Sequence, residues 1–316
     1  MTIHCYGSIN IDHVYRVPRM PAPGETLAAS AYAAGLGGKG ANQSVAAARA
    51  GARVVHLGAV GRDGLWARDA LAAHGVDCAR VRVLDGVATG HAVIMVDPEG
   101  ENSIVLHDGA NHALDPGAID GLLAGAELGD IVLLQNETAH VPAVAEAAMG
   151  RGLEVIYSAA PFDVAAARAV LPFVNMLVLN ALEAGQLRAA LGVTFEDLPV
   201  ESVVVTRGAE GAEWHARGMD RLHMPAFAVR AVDTTGAGDC FAGSLAAMLD
   251  AGRNPAEAMR YATAAEAMRY ATAAAALQVT RPGAAAAMPA RAEVGALLAE
   301  GWRASPGSTM WPMSGV

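Results

Sequence analysis

The chain has 316 residues, 53% of them hydrophobic, enough for one large domain with a buried core or for two smaller ones. Its 22 Lys and Arg against 32 Asp and Glu leave a net charge of −10 with no basic block, which argues against nucleic acid or an anionic membrane as the main partner. Three scattered cysteines, Cys5, Cys78 and Cys240, exclude a disulfide framework and point to a reducing, cytoplasmic setting.

The N-terminus, `MTIHCYGSINIDH`, has no basic region followed by an apolar run, so no signal peptide is expected. No window approaches 18 uninterrupted apolar residues, so no transmembrane helix is expected either. The histidines show no metal-ligand spacing, which speaks against zinc.

In chain order, apolar runs predict strands over 3–9, 53–61, 130–137, 153–161, 176–183 and 202–208. Helix-like segments lie between them, over 40–51, 63–75, 140–151, 163–170 and 181–191. This alternation predicts a parallel sheet covered by helices on both faces, with ligands at the carboxyl ends of the strands. Residues 13–36 and 87–107 break the rhythm. The second reads as a hairpin turning at `DPEGEN`, and the two together as a small accessory β-layer within a single domain over 1–300. Residues 301–316 read as a loose tail.

One helical stretch contains a duplication: `AEAMRYATA` fills 256–264 and again 265–273. Nine helical residues advance about 13.5 Å and turn about 900°, so the two copies face opposite ways and only one can bury its Met and Tyr in the same core. The reading is a tolerated insertion in which the second copy keeps register with `LQVTR`.

Two glycine-rich loops carry the chemistry. `GLGGKGANQS` fits G-x-G-x-x-G by spelling, but no strand leads directly into it and no acid closes the next strand, so it is not a dinucleotide fingerprint. Lys39 is followed by Gly40 and not by Ser or Thr, so it is not a P-loop. What remains is a turn feeding a helix, with Gly38 and Gly40 admitting a ligand close to the backbone and Lys39 and Asn42 as donors for an oxygen-rich ligand.

The second loop is `AVDTTGAGDCFAGSLAAML` (231–249). Here Asp233-Thr234-Thr235 is expected to close a strand, Gly236-Ala237-Gly238 to form an anion-binding turn, and Asp239 to open a helix. Asp239 reads either as a helix N-cap or as a base facing a nucleophilic hydroxyl between the loops. An ordinary carboxylate suffices for the second role, because phosphoryl transfer needs mainly positioning and a late proton acceptor.

Together, `GGKGANQSVAAARAGARVVHLGAVGRDG` and `DTTGAGDCFAGSLAAML` resemble the two signatures of the PfkB, or ribokinase-like, carbohydrate kinases. The likeness runs from Gly7 to about Pro289, and the start of the chain and `DGAN` (108–111) are most similar to the ribokinase branch. The resemblance implies an α/β three-layer sandwich with a mostly parallel central sheet flanked by helices, and a small β-sheet lid formed by about 13–36 and 87–107. It implies an ATP-dependent kinase acting on a primary hydroxyl of a small sugar, D-ribose first. Fructose, a 2-keto-3-deoxy sugar acid or a nucleoside remain alternatives, as does a non-catalytic sugar-binding regulator.

By the same resemblance Asn10, Asp12, Gly38, Lys39, Asn42 and Glu137 would bind sugar, with Asp239 as base. Gly236, Ala237 and Gly238 would form the anion hole. Asn180, Thr206, Gly208 and Gly211 would lie by ATP, and Glu183 would order Mg²⁺ through water. Asp233, Thr235, Arg281 and Gly283 would border a monovalent cation, usually K⁺. A homodimer through the lid is implied. Ala287 departs from the pattern, since ribokinases commonly carry a serine there that helps to hold the cation.

Overall fold

A computed structural model describes residues 1–252 and 257–299. The central sheet is assembled from β1 (Thr2–Tyr6), β4 (Arg53–Gly61), β5 (Asp77–Leu84), β8 (Ile131–Leu134), β9 (Glu154–Ser158), β10 (Met176–Asn180), β11 (Ser202–Thr206), β12 (Ala212–Ala216) and β13 (Leu222–Met224). Their order is β13-β12-β11-β10-β9-β8-β1-β4-β5, parallel from β11 to β5, with β12 and β13 antiparallel at one edge. A second sheet has the order β3-β2-β6-β7, from β2 (Asn10–Arg16), β3 (Ala31–Gly37), β6 (Gly90–Val96) and β7 (Asn102–His107). β6 and β7 form the expected hairpin, and residues 97–101 make its turn.

The continuous apolar strands feed two cores because neighbouring side chains point to opposite faces. Ile3, Cys5, Ile131 and Leu133 join one cluster with α1 (Lys39–Arg49), α2 (Leu65–Ala73), α7 (Ala237–Ala251), α8 (Glu257–Gln278) and α9 (Arg291–Ala299). Tyr6, Val132 and Leu134 join the other, with α3 (Ile119–Leu122), α4 (Val141–Gly150), α5 (Val164–Val170) and α6 (Ala181–Leu191).

The chain leaves β1 for β4 and β5 on one side and then returns to β8 on the other. Such a reversal opens a crevice beyond the carboxyl ends of β1 and β8, the usual ligand position on an open α/β sheet. Gly7 and Ser8 follow β1 there, and Gln135 and Glu137 follow β8.

Several expectations are corrected. The first strand ends at Tyr6, not at residue 9, because the backbone turns from the large sheet into the small one at Gly7-Ser8-Ile9. Gly7 is pressed against α1: a Cβ on it would lie 2.6 Å from Gly40 Cα, so neither glycine has room for a side chain. Asp233-Thr234-Thr235 does not close a strand. Val232 N and Asp233 N both donate to Val279 O, while the Asp233 carboxylate folds back onto Thr235 N, which leaves no ladder to join. Asp239 is the third residue of α7, not its first.

In the duplicated helix, Met268 and Tyr270 of the second copy are buried. The side chains of Met259 and Tyr261, like the tail 301–316, lie outside the described residues. The small residues Ala271, Ala273, Ala274 and Ala276 pack into the core.

Candidate active site

The two glycine loops meet through side-chain amides. Gly38 is the N-cap of α1 at φ 91°, and Gly236 is the N-cap of α7 at φ 80°, both in the left-handed half of backbone space that glycine tolerates. One turn into α1, Asn42 Nδ2 donates to Asp239 Oδ2 at 3.0 Å, and Gln43 Nε2 donates to Asp239 Oδ1 at 3.0 Å. Gln135 Nε2 donates in turn to Gln43 Oε1 at 2.7 Å, which fixes the Gln43 amide with its NH₂ toward Asp239. Each oxygen of the buried carboxylate thus accepts one hydrogen bond from a neutral amide, with acceptor capacity left for a third. Asn42 Oδ1, also buried, has no hydrogen-bond partner among the described residues. A buried amide oxygen of this kind calls for a ligand hydroxyl or a water.

Around Lys39 the acids converge. Burial pulls its ammonium pKa down, but Asp239, Glu137, Glu183 and Asp12 outweigh burial and the net shift is upward. Glu137 accepts from Ser8 Oγ at 2.5 Å and from Lys39 N at 2.9 Å, which sets its carboxylate at the positive end of α1. Burial nonetheless raises its pKa, against the lowering by Lys39. Burial pushes half-buried Asp12 up to about 6, with Glu137 adding to the rise and Lys39 opposing it. Asn10 Oδ1 accepts from Asn111 Nδ2 at 2.7 Å, and Asn111 Oδ1 accepts from Ile9 N at 3.0 Å, so the `DGAN` segment orients Asn10.

The residues expected beside ATP share the far end of β10 and β11. Asn180 and Thr206 are register partners there. Asn180 and Glu183 form a capping box on α6: Asn180 Oδ1 accepts from Glu183 N at 2.9 Å and Glu183 Oε2 from Asn180 N at 2.8 Å. The N-x-x-E element therefore has a structural reason of its own, while the Glu183 charge still acts on Lys39. Gly208 (φ 55°) and Gly211 (φ 98°) turn the following loop.

At the start of α7, Ala237 N donates back to Thr234 O at 3.2 Å, so this amide is not free for an anion. Among the described residues the backbone amides of Gly238 and Asp239 make no backbone bond, and in the first turn of a helix they can receive one. Of the three residues expected in the anion hole, only Ala237 has its amide already engaged by the backbone among the described residues.

Asp233 accepts from Thr235 N and from Gly283 N, each at 2.9 Å. Burial tends to raise its pKa, but these backbone donors win and the net shift is downward. Arg281 does not face this loop; its guanidinium pairs with Glu293 on α9 at 2.5 Å. Ala287 is buried.

Sequence reasoning missed Ser8, Gln43, Asn111, Gln135 and Gln278. Gln43 stood inside the quoted loop and Gln135 at the end of a predicted strand. A polar residue ending an apolar run is the available signal, but only the fold shows what it touches.

Four acids around one lysine leave an excess of negative charge that suits Mg²⁺ carried by nucleotide phosphates. Among the described residues no group of three or more His, Cys, Asp or Glu side chains could hold a metal ion by itself.

Known kinases resemble this chain over most of its length. The ribokinase of Haemophilus influenzae is 35% identical over 306 residues, spanning 92% of this chain and 96% of its own. The deoxyribokinase of Salmonella typhi is 34% identical over 262 residues, spanning 78% of this chain and 85% of its own. The solved structure of Arabidopsis thaliana ribokinase complexed with ribose and ATP superposes with a TM-score of 0.80 at 30% identity, over 94% of this chain and 98% of that one. The family model for the pfkB family carbohydrate kinases matches residues 2–291, and the chain belongs to that family.

Proposed function

We propose that this chain transfers the γ-phosphoryl group of ATP to the primary hydroxyl of D-ribose, giving D-ribose 5-phosphate, with Asp239 as base. The observation that carries the reading is the Asp239 carboxylate, fixed by Asn42 and Gln43 beside the first-turn amides of α7. A hydroxyl placed against Asp239 would lie next to the position where those amides hold phosphate.

Asp12, Asn10 and Glu137 accept sugar hydroxyls, while Lys39, Gly38 and the Asn42 side chain complete the sugar side. Asp239 takes the hydroxyl proton late in the transfer, and the amides of Gly238 and Asp239 stabilise the charge that builds on the phosphoryl oxygens. Asn180, Thr206, Gly208 and Gly211 border the nucleotide. Mg²⁺, drawn by Glu183 through water, would supply charge neutralisation on the phosphates.

Ribose is favoured over other sugars by the ribokinase relatives, and the deoxyribokinase names the nearest competitor. The small sheet acts as a lid, since Asp12 on β2 stands among the sugar-side acids. Its two edge strands carry exposed Tyr32, Ile104, Val105 and Leu106, apolar area suited to a second copy of the chain. Three free thiols suit a reducing cytoplasm. Among the described residues no helix is long and apolar enough to cross a membrane.

The test is ADP release with Mg·ATP across ribose, deoxyribose, fructose, 2-keto-3-deoxygluconate and adenosine, with Asp239→Asn beside the unmodified chain. Ribose should be turned over at the lowest concentration. The substitution should lower kcat by about 10²- to 10⁴-fold, the usual range for a lost general base. Sugar binding without turnover of any of them would favour a regulator instead.

A further inference from the structure

The family resemblance places a monovalent cation beside the Asp233–Gly238 loop, but the residues of this chain do not fit one. Gln278, the last residue of α8, is fully buried. Its Nε2 donates to Thr235 O at 2.7 Å and to Gly283 O at 3.0 Å. Carbonyl oxygens only accept, so the NH₂ end of the amide must be the one that faces them. A nitrogen within hydrogen-bond reach of both oxygens occupies the point from which an ion would bridge them.

The other expected contributors are committed elsewhere. The two Asp233 oxygens accept from Thr235 N and Gly283 N, Arg281 is turned to Glu293, and Ala287 has no side-chain oxygen.

We infer that the side-chain amide of Gln278 stands in for the monovalent cation in this chain, so that turnover does not depend on potassium. The NH₂ group carries partial positive charge and makes two fixed bonds. It ties the loop before α7 to the loop at Gly283, as a bridging ion would, and so sets the angle at which the Gly238 and Asp239 amides meet phosphate. Gln278 is a positioning residue in this scheme, acting through the loop and not on substrate. The alternative is that the amide rotates when an ion arrives. Gln278 Oε1, which has no hydrogen-bond partner among the described residues, would then turn inward as a ligand.

The catalytic part of this inference rests on the kinase reading; the ion-binding part does not. The test uses the full chain in a medium whose only monovalent cation is tetramethylammonium. Ion binding is read by ²⁰⁵Tl NMR and by the change of Tm on adding potassium, and turnover by ADP release with ribose. The unmodified chain should bind no thallium saturably, and its kcat should stay within about twofold on adding potassium. Gln278→Ala, checked for folding by its Tm, should lose about tenfold or more in kcat without potassium and recover part of it when potassium is added.

Saturable thallium binding or a several-fold potassium activation of the unmodified chain overturns the inference. So does a Gln278→Ala protein that works at full rate without cation. A loss that potassium does not relieve makes Gln278 a packing residue and overturns it as well. If Gln278→Ala fails to fold, Gln278→Met, which keeps the volume and removes the amide, takes its place. If no sugar is phosphorylated in any medium, the kinase reading has failed, and the binding measurements alone decide this one.

Discussion

Asn42 and Asp239 stand 197 positions apart in the chain and meet through one hydrogen bond of 3.0 Å, from an amide on α1 to a carboxylate on α7. Gln43, the next residue, holds the other carboxylate oxygen and is itself held by Gln135. Gln43→Leu removes one donor from Asp239, the proposed base, and leaves the Gln135 amide only the weak acceptor Cys5 Sγ. A hydrogen bond to a charged group contributes about 1.5–3 kcal/mol, so kcat should fall by about 10- to 100-fold. The KM for sugar should move little, because Gln43 faces the base and not the sugar hydroxyls. Steady-state ADP release at varied sugar separates the two parameters, and a dominant rise in KM would contradict this placement.

The raised pKa of Asp12 predicts a pH-dependent reaction. Burial, with Glu137, pushes its carboxyl from 3.8 up to about 6, so its charge is lost over the slightly acidic range. If the ionised form binds sugar hydroxyls, kcat/KM for sugar should rise as pH passes about 6 and lose that rise in Asp12→Asn. The linkage to stability has the opposite sign. Between 3.8 and about 6 the folded chain binds a proton that the unfolded chain does not. This group's contribution is therefore fully present below 3.8 and is lost as pH rises to about 6. Asp12→Asn should accordingly raise Tm at neutral pH and leave it nearly unchanged near pH 4. A Tm series across pH for both proteins checks this.

Gly243 is a point of close approach between α7 and α1. A Cβ on it would lie 2.3 Å from Gln43 O and 2.8 Å from Ala46 Cβ, so Gly243→Ala must part the two helices. The expected cost is about 1–3 kcal/mol of stability, with a fall in kcat as Asp239 draws away from its amide donors. Gly185→Ala, on exposed α6 with nothing within 4 Å, is the control. It should stabilise by about 0.5–1 kcal/mol and leave kcat alone. Chemical denaturation and ADP release measure both.

Deleting either copy of `AEAMRYATA` yields the same polypeptide, since the copies are identical and adjacent. The second copy already fills the core with Met268 and Tyr270. The shortened chain should therefore keep its KM for ATP and its Tm to within about 2 °C. A large loss of Tm would show that the extra nine residues have become part of the core.

The regular frame was readable in the sequence where local pattern and burial agree. The strand over 53–61 and the helix over 181–191 match β4 and α6 residue for residue, because both are bounded by glycine or by a capping residue. Reading failed where the backbone leaves its element for the site. Ile9 is as apolar as any strand residue, yet it belongs to the crossing between two sheets, which Gly7 permits by touching Gly40. Asp233-Thr235 follows β-like residues but has no neighbouring strand to bond. Lys39, Asn42 and Asp239 were visible as motif residues. The amides that orient the base and the loop, Gln43, Gln135 and Gln278, were not. A glutamine carries no signature until its partner is known, and here the partners are distant in the chain: 196 positions for Gln43, 92 for Gln135, 43 for Gln278.

The pairing of Asn42 with Asp239 also orders events on the ribosome. Every residue proposed to bind sugar before Asp239, from Asn10 to Glu137, is synthesised first, and Asp239 emerges about a third of the chain later. A nascent chain halted before α7 lacks Asp239, the proposed base, and the first-turn amides of α7. On the proposed assignment, phosphoryl transfer therefore waits on the C-terminal third of the chain: α7 packed on α1 at Gly243, and Gln278 tied to Thr235 and Gly283.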